Sequence, residues 1–342
     1  MTTAFTRTDG QTVHLGRIKP RAIIEAGDFV LVVRQDGSHR AVPKLAPHYD
    51  QRRMAMLPPD RVDWGARAAN TIAQMYGNDQ QGDCVIASAM HQVGLWTAND
   101  SDSGGEAIGT TQEALSQYHQ FCGAGDNGCD ISSVSDIIKS RGLTVGGKKY
   151  TIDGYVSVNN LDRDLVKTAI VVFGSIKLGI DLPSAWANSN DGDRWDVTNT
   201  GIVGGHDVSA DGYDEVGVEI MTWAGKRRIT WPAFLSKRWI TEAYVILARA
   251  WYNSDSLAPN GINATTLLAY LNMIGGGTTP PIPDPTPVPP VPPTPTPSNY
   301  LHVIAPIAPG AHRIGDAQLY NASQILPGDY PVMDQPDGGW IT

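Results

Sequence analysis

One cysteine stands where a nucleophile could be made. Cys84 closes the polar, Gly-containing turn GNDQQGD and opens the apolar stretch VIASAMHQVGLW. Val85, Ile86, Ala89, Val93 and Trp96 recur on one helix face. Asp83 takes the N-cap position and Cys84 the first helical one. A thiol there feels the positive end of the helix dipole, which favours the thiolate, the form that attacks carbonyl carbon. The plainer reading is a small buried cysteine that starts an amphipathic helix. His91 lies two turns along the same helix, too far to be the base for this thiol. His48 and His119 read as loop or surface residues.

A second stretch, GGHDVSADGYD at 204–214, followed by IMTWAG at 220–225, bears on the choice. The two stretches together resemble the papain-like cysteine peptidases over about residues 65–250. In that family a cysteine opens the first long helix, an amide side chain precedes it by six residues, and a histidine comes from a strand of pattern G-x-H-A-V-x-x-x-G-Y. Here these are Cys84, Asn78 and His206, with Val208, Gly212 and Tyr213 continuing the strand pattern. The resemblance implies an α+β fold: a helical half opened by the Cys84 helix and an antiparallel β-barrel half carrying His206. It also implies a thiolate–imidazolium pair, with the Cys84 backbone N–H and the Asn78 amide as oxyanion donors. Asn is one methylene shorter than the usual Gln, and Gln80 and Gln81 are fallback donors.

The family orients its histidine with an Asn or Asp shortly before a shielding Trp. Trp223 matches that Trp, and the orienting position falls on Met221, or on Thr222 if the register slips by one. Met cannot accept the ring N–H; Thr222 can, weakly. Asp207 follows His206 on a strand and should point to the opposite face. Asp196 and Asp211 are more distant alternatives. Trp186 and Trp195 could wall a substrate groove or cap the end of the barrel.

The other elements must position this pair. Residues 1–50 carry apolar runs broken by EAGD and QDGS, which predicts a β-rich N-terminal element. The core is expected over 51–275. Helices are predicted over 65–76, 111–121, a segment beginning near Ile131 and stopped by Gly142, and the first half of 161–182. SIKLGIDL alternates as a strand. NATTLLAYLNMI, within 260–275, predicts one more small helix. Residues 276–298 form a linker with eleven Pro between 280 and 297. As polyproline II it spans about 55 Å. Residues 299–342 form a small β-rich module expected to pair with another chain or oligomerise.

The chain has 342 residues and a formal net charge of −9 with no basic run, which argues against nucleic-acid binding. No stretch approaches 18 apolar residues, so no membrane span is expected. The start, MTTAFTRTDGQTV, lacks a signal-peptide core, and three cysteines are too few for a disulfide scaffold; synthesis in a reducing cytoplasm is the expectation. Cys122 and Cys129 are open to a disulfide or to two free thiols. No metal site or cofactor motif is present: there is no second Cys/His pair, no P-loop, no dinucleotide fingerprint and no G-x-S-x-G.

The form GNDxxGDC…GGHDVxxxGYD resembles papain-like proteins borne by bacteriophages. That implies a virion-associated structural or attachment protein, whose terminal modules bind other virion proteins and whose core need not be active. The alternative is a cysteine peptidase or amidase that cuts a peptide-like bond through Cys84 and His206. The appended modules and the absent orienting Asn favour the first; the Cys–His pair favours the second.

Overall fold

The computed structural model describes residues 2–26, 28–45, 58–261 and 263, together with backbone strands at 300–303, 310–314, 317–322, 328–333 and 340–341. The predicted NATTLLAYLNMI helix, the Pro-rich linker and His48 lie outside the described residues. The chain divides into two compact units, 1–280 and 281–342.

The first unit begins with the hairpin β1 (Thr3–Thr6) and β2 (Thr12–Leu15), then the meander β3 (Ala22–Ala26), β4 (Phe29–Val33) and β5 (His39–Pro43). These strands share the cores of the larger fold. Val13 and Leu15 join one apolar cluster, and Val30, Val32 and Val42 the other. A short strand β6 (Val62–Asp63), a 3₁₀ turn (Trp64–Arg67) and the one-turn helix α1 (Ala69–Ile72) lead to α2 (Cys84–Asn99). The single helix predicted over 65–76 is thus two short pieces.

Helix α2 is buried on almost every side, not along one stripe. It runs between the main sheet and the helices α3 (Thr111–Cys122) and α4 (Ile131–Arg141), so its polar residues need internal partners. Ser88 bonds Ser209 at 2.8 Å, and Gln92 bonds Ser175 at 2.9 Å. Helix α3 starts with a full capping box, Thr110 with Glu113. Helix α4 is capped by the Asp130 side chain and stops at Gly142, whose φ of +81° suits glycine.

The remaining elements are β7 (Leu143–Val145), β8 (Lys148–Tyr150), β9 (Ile152–Ser157), α5 (Arg163–Phe173), β10 (Ile176–Pro183), α6 (Ser184–Ala187), β11 (Arg194–Trp195), β12 (Ile202–Tyr213), β13 (Gly217–Thr222), β14 (Gly225–Thr230), α7 (Trp231–Phe234) and β15 (Ile240–Ala248). The main sheet has the order β11-β14-β13-β12-β10-β15-β9, with β6 on the end of β12. The expectation of an antiparallel barrel is corrected here: among the described residues the strands pair as an open path, and β11 runs parallel to β14. One face of this sheet packs on α5 and the other, through Lys177 and Ser209, on α2, so closure is not needed to cover it.

The second unit has two small antiparallel sheets: Tyr300–Val303, Gly328–Met333 and Trp340–Ile341 in one, Gly310–Ile314 and Ala317–Ala322 in the other.

Candidate active site

Helix α2 and strand β12 bring Cys84 and His206 to one small cavity, lined also by Asn78, Met75, Thr222 and Trp223. Cys84 begins α2 as expected. Asp83 fills the N-cap position, but its side chain makes no capping bond; it is buried and accepts a long contact from the Asn78 amide at 3.4 Å. His206 lies in the middle of the sheet, opposite Ile180 of β10.

The register question resolves on Thr222. Its Oγ1 is 2.8 Å from His206 Nε2, whereas Met221 is buried against Ala68, Ile72 and Leu95. The cause is the two-residue turn between β13 and β14, in which Trp223 and Ala224 both have positive φ, at 47° and 54°. This turn brings the Trp223 ring onto His206, with centroids 4.6 Å apart, and aims Thr222 at the far ring nitrogen. His206 Nδ1 is buried and has no hydrogen-bond partner among the described residues.

Asn78 is held from two sides. Its Oδ1 accepts from Trp223 Nε1 at 2.9 Å, which turns its amide nitrogen into the cleft. That nitrogen donates to the His14 carbonyl at 2.8 Å, so the shorter side chain reaches a carbonyl placed there. Gln80 is exposed and stands outside the cavity lining.

His14 belongs to β2, and the chain continues from it straight through the cleft. Gly16 C=O accepts from Cys129 N at 2.7 Å, Arg17 N donates to Gly205 O at 3.1 Å, and Ile18 N donates to Cys129 O at 2.7 Å. The backbone N–H of Gly16 faces the Cys84 sulfur. A methyl group at Gly16 would lie 1.7 Å from the Gly82 carbonyl oxygen, so only glycine seats here. Cys129 is tied to Cys122 by a disulfide, which settles the alternative left open by the sequence.

Burial sets the charge state of the closed site. The Cys84 thiol is pushed up to about 12, by desolvation first and then by the Asp207 charge. The expectation of a thiolate favoured by the helix terminus does not hold in this closed state, because loss of water outweighs the dipole. His206 is pulled down to about 3 by burial, and then by Arg227 and Arg17.

Of the remaining sequence candidates, Asp207, Met221 and His91 border the same cavity, while Asp196, Asp211, Trp186 and Trp195 lie away from it. Asp207 points away from His206 and pairs with Lys177 Nζ at 2.8 Å; that lysine also bonds the Val85 carbonyl at 3.0 Å, tying the sheet to the first turn of α2. Asp196 accepts from Thr230, and Asp211 pairs with Lys226. Trp186 and Trp195 stack on each other at 5.1 Å inside the core and do not wall a groove. His91 bonds the Gln74 carbonyl at 3.0 Å. The sequence reading missed the occupying strand. Its one signal was a glycine between the apolar VHL and the basic RIK, and nothing local gives that glycine a turn to make.

Cys84 at the start of a helix, His206 on a strand and Trp223 over it sit on an α+β core of papain-like fold, with the Thr222 hydroxyl where that fold usually has an amide or carboxylate. Among solved structures the chain is similar to xylellain, a cysteine protease from Xylella fastidiosa, with 18% identity and a TM-score of 0.51 over 68% of this chain and 95% of that one. It is also similar to procathepsin B from Trypanosoma congolense (11% identity, TM-score 0.46, 59% of this chain and 81% of that one) and to a Carica candamarcensis cysteine protease in complex with E-64 (16% identity, TM-score 0.42, 55% and 98%). No protein-family model matches the chain, and no curated protein matches it.

Proposed function

We propose that the chain is a cysteine peptidase held latent by its own N-terminal strand. The observation that carries this reading is the seating of His14–Ile18: the Asn78 amide holds the His14 carbonyl, and the Gly16 N–H faces the thiol, so the segment covers both groups that a substrate would need. When the segment leaves, water enters and the desolvation that keeps both groups neutral is lifted. Cys84 then passes its proton to His206 Nδ1, and Thr222 holds the ring through Nε2. The thiolate attacks the substrate carbonyl, forming an S–C bond, while Asn78 and the Cys84 N–H hold the oxyanion. The imidazolium protonates the amine as the C–N bond breaks, and water then hydrolyses the thioester and restores the thiol.

The test is hydrolysis of a quenched-fluorescent peptide library by the full chain carrying Gly16→Leu, which cannot seat the strand. Cleavage by this variant, its loss on adding Cys84→Ala, and low activity of the natural chain are expected. No cleavage by Gly16→Leu, with the fold intact by circular dichroism, contradicts the reading.

A second reading keeps the core as a scaffold in a virion-associated attachment protein, with oligomerisation and partner binding through the terminal strands. It is favoured by the Pro-rich spacer and by a hydroxyl in place of an orienting amide. The disulfide fits an oxidising setting better than a reducing cytoplasm. The two readings are compatible if a particle carries the latent enzyme.

A further inference from the structure

One short loop grips the segment that fills the cleft. Residues 123–128 run from Cys122, the last residue of α3, to Cys129 just before α4, and the Cys122–Cys129 disulfide closes them into a ring. Cys129 spends both of its main-chain groups on the segment. Its N–H donates to the Gly16 carbonyl and its carbonyl accepts from the Ile18 N–H, both at 2.7 Å. Asp126 reaches the same N-terminal stretch: its carbonyl accepts from Thr2 Oγ1 at 2.8 Å, and its carboxylate lies 3.8 Å from His14 Nδ1. That carboxylate also accepts from the Gly82 N–H at 2.8 Å, in the turn that leads to Cys84. Gly128 is pressed against the Gly16 carbonyl oxygen, which a methyl group there would meet at 2.1 Å.

The shape of the loop rests on Tyr118 and on the cross-link. Tyr118 of α3 donates to Asp126 Oδ1 at 2.8 Å and accepts from the Gly128 N–H at 2.7 Å. Gly123, Gly125 and Gly128 all have positive φ. A glycine-rich loop freed of its cross-link regains many other conformations. Cys129 is buried and Cys122 is partly exposed at the end of α3, so the approach for a thiolate is from the Cys122 side. Cys84 is a free thiol and takes no part in the cross-link.

We infer that the Cys122–Cys129 disulfide is a redox site that locks the N-terminal segment in the cleft, and that a dithiol reductant unlocks it. The use of the lock rests on the latent-peptidase reading; its existence rests on the loop alone. A thiolate of the dithiol attacks one sulfur, the Cys122–Cys129 bond breaks and a mixed disulfide forms. The second thiol of the reductant then displaces that sulfur. Two electrons and two protons pass to the chain, which ends with two thiols, and the reductant leaves as its own disulfide. The loop loses its fixed shape, the Cys129 grip on Gly16 and Ile18 weakens, and Cys84 opens to solvent. Reoxidation restores the grip, so an oxidising setting keeps the chain latent and a reducing one opens it.

The experiment measures iodoacetamide labelling of Cys84, located by mass spectrometry, in the full natural chain and in the full chain with Cys122→Ala and Cys129→Ala. Each is compared before and after treatment with dithiothreitol, which is removed before labelling. Reduction is expected to speed Cys84 labelling in the natural chain at least tenfold. The double variant is expected to label at that fast rate without reductant and to gain nothing from it. If the double variant does not fold, trypsin cleavage after Arg17, which is buried in the closed state, is read in the natural chain and is expected only after reduction. Equal labelling or equal cleavage of the oxidised and reduced natural chain overturns the lock. So does a rate that rises with dithiothreitol in the double variant too, because the reductant is then acting on Cys84 itself. Faster labelling on reduction without hydrolysis of a peptide library supports the lock and counts against the peptidase reading. Hydrolysis by Gly16→Leu beside a natural chain whose Cys84 ignores reduction keeps the peptidase and overturns the lock.

Discussion

The Trp223 indole N–H donates to Asn78 Oδ1 at 2.9 Å while the same ring stacks on His206 at 4.6 Å. One side chain from the β13–β14 turn thus fixes both the amide on the helical side of the cleft and the imidazole on the sheet side. The turn needs positive φ at a non-glycine residue, a conformation that costs of order 1 kcal/mol or more and recurs at functional sites.

Trp223→Phe keeps an aromatic ring over His206 and removes the N–H. Asn78 Oδ1 then loses its donor and the amide is free to turn. In a chain freed of its N-terminal strand, kcat is expected to fall by up to the roughly 10²–10³-fold that loss of an oxyanion donor costs, with KM little changed. Steady-state kinetics of Gly16→Leu with and without Trp223→Phe checks this. An unchanged kcat excludes Asn78 as a donor that depends on Trp223.

Thr222→Val removes the acceptor behind His206 Nε2 without changing the shape of the site. Loss of the orienter is expected to lower kcat at least tenfold, and Thr222→Asn, which supplies a stronger acceptor, to keep or raise it. The check is the pH profile of kcat/KM. Its acid limb should move on Thr222→Val if the hydroxyl holds the imidazole, and stay fixed if it only fills space.

The folded chain should be sensitive to acid. His206 is lowered from 6.5 to about 3 and His91 from 6.5 to about 4, both chiefly by burial. Each is therefore protonated in the unfolded chain at a pH where the fold still excludes the proton. The stability they contribute is full above about pH 6.5, the unfolded value, and is lost as pH falls through about 4 and then 3. The buried Asp207 and Asp211 carboxyls, raised to about 7 and about 6, titrate in the opposite sense, so the test is the melting temperature of the natural chain minus that of His91→Phe, which should fall from pH 7 to pH 4. A difference that stays constant over this range contradicts the neutral, buried state of His91.

The candidate site was legible in the sequence through the papain-like resemblance, whose motifs are short. Cys84 after a Gly-rich turn, His206 in a strand ending Gly-Tyr, and Thr222 beside Trp223 are each read within about ten residues. The burial of α2 on all sides was not legible. Its Ser88, His91 and Gln92 look like a solvent face until Ser209, Gln74 and Ser175 arrive from remote positions. The closed cleft was hidden for the same reason. Arg17 meets Glu242 across 225 positions of sequence, and Gly16 is explained only by Gly82 against it. The open sheet departs from the expected barrel because strand alternation fixes which side chains are buried, not how the edges end.

The central claim is that Cys84 and His206 form a thiolate–imidazolium pair silenced by residues 14–18. Its most direct test is alkylation of Cys84 by iodoacetamide from pH 4 to pH 9, read by mass spectrometry, in the natural chain, in Gly16→Leu and in Gly16→Leu with His206→Ala. Slow labelling of the natural chain across the range, fast labelling of Gly16→Leu below pH 6, and loss of that acid reactivity when His206 is removed are expected. Labelling of the natural chain as fast as that of Gly16→Leu, or a Gly16→Leu thiol that reacts only as an ordinary free thiol does, would contradict it.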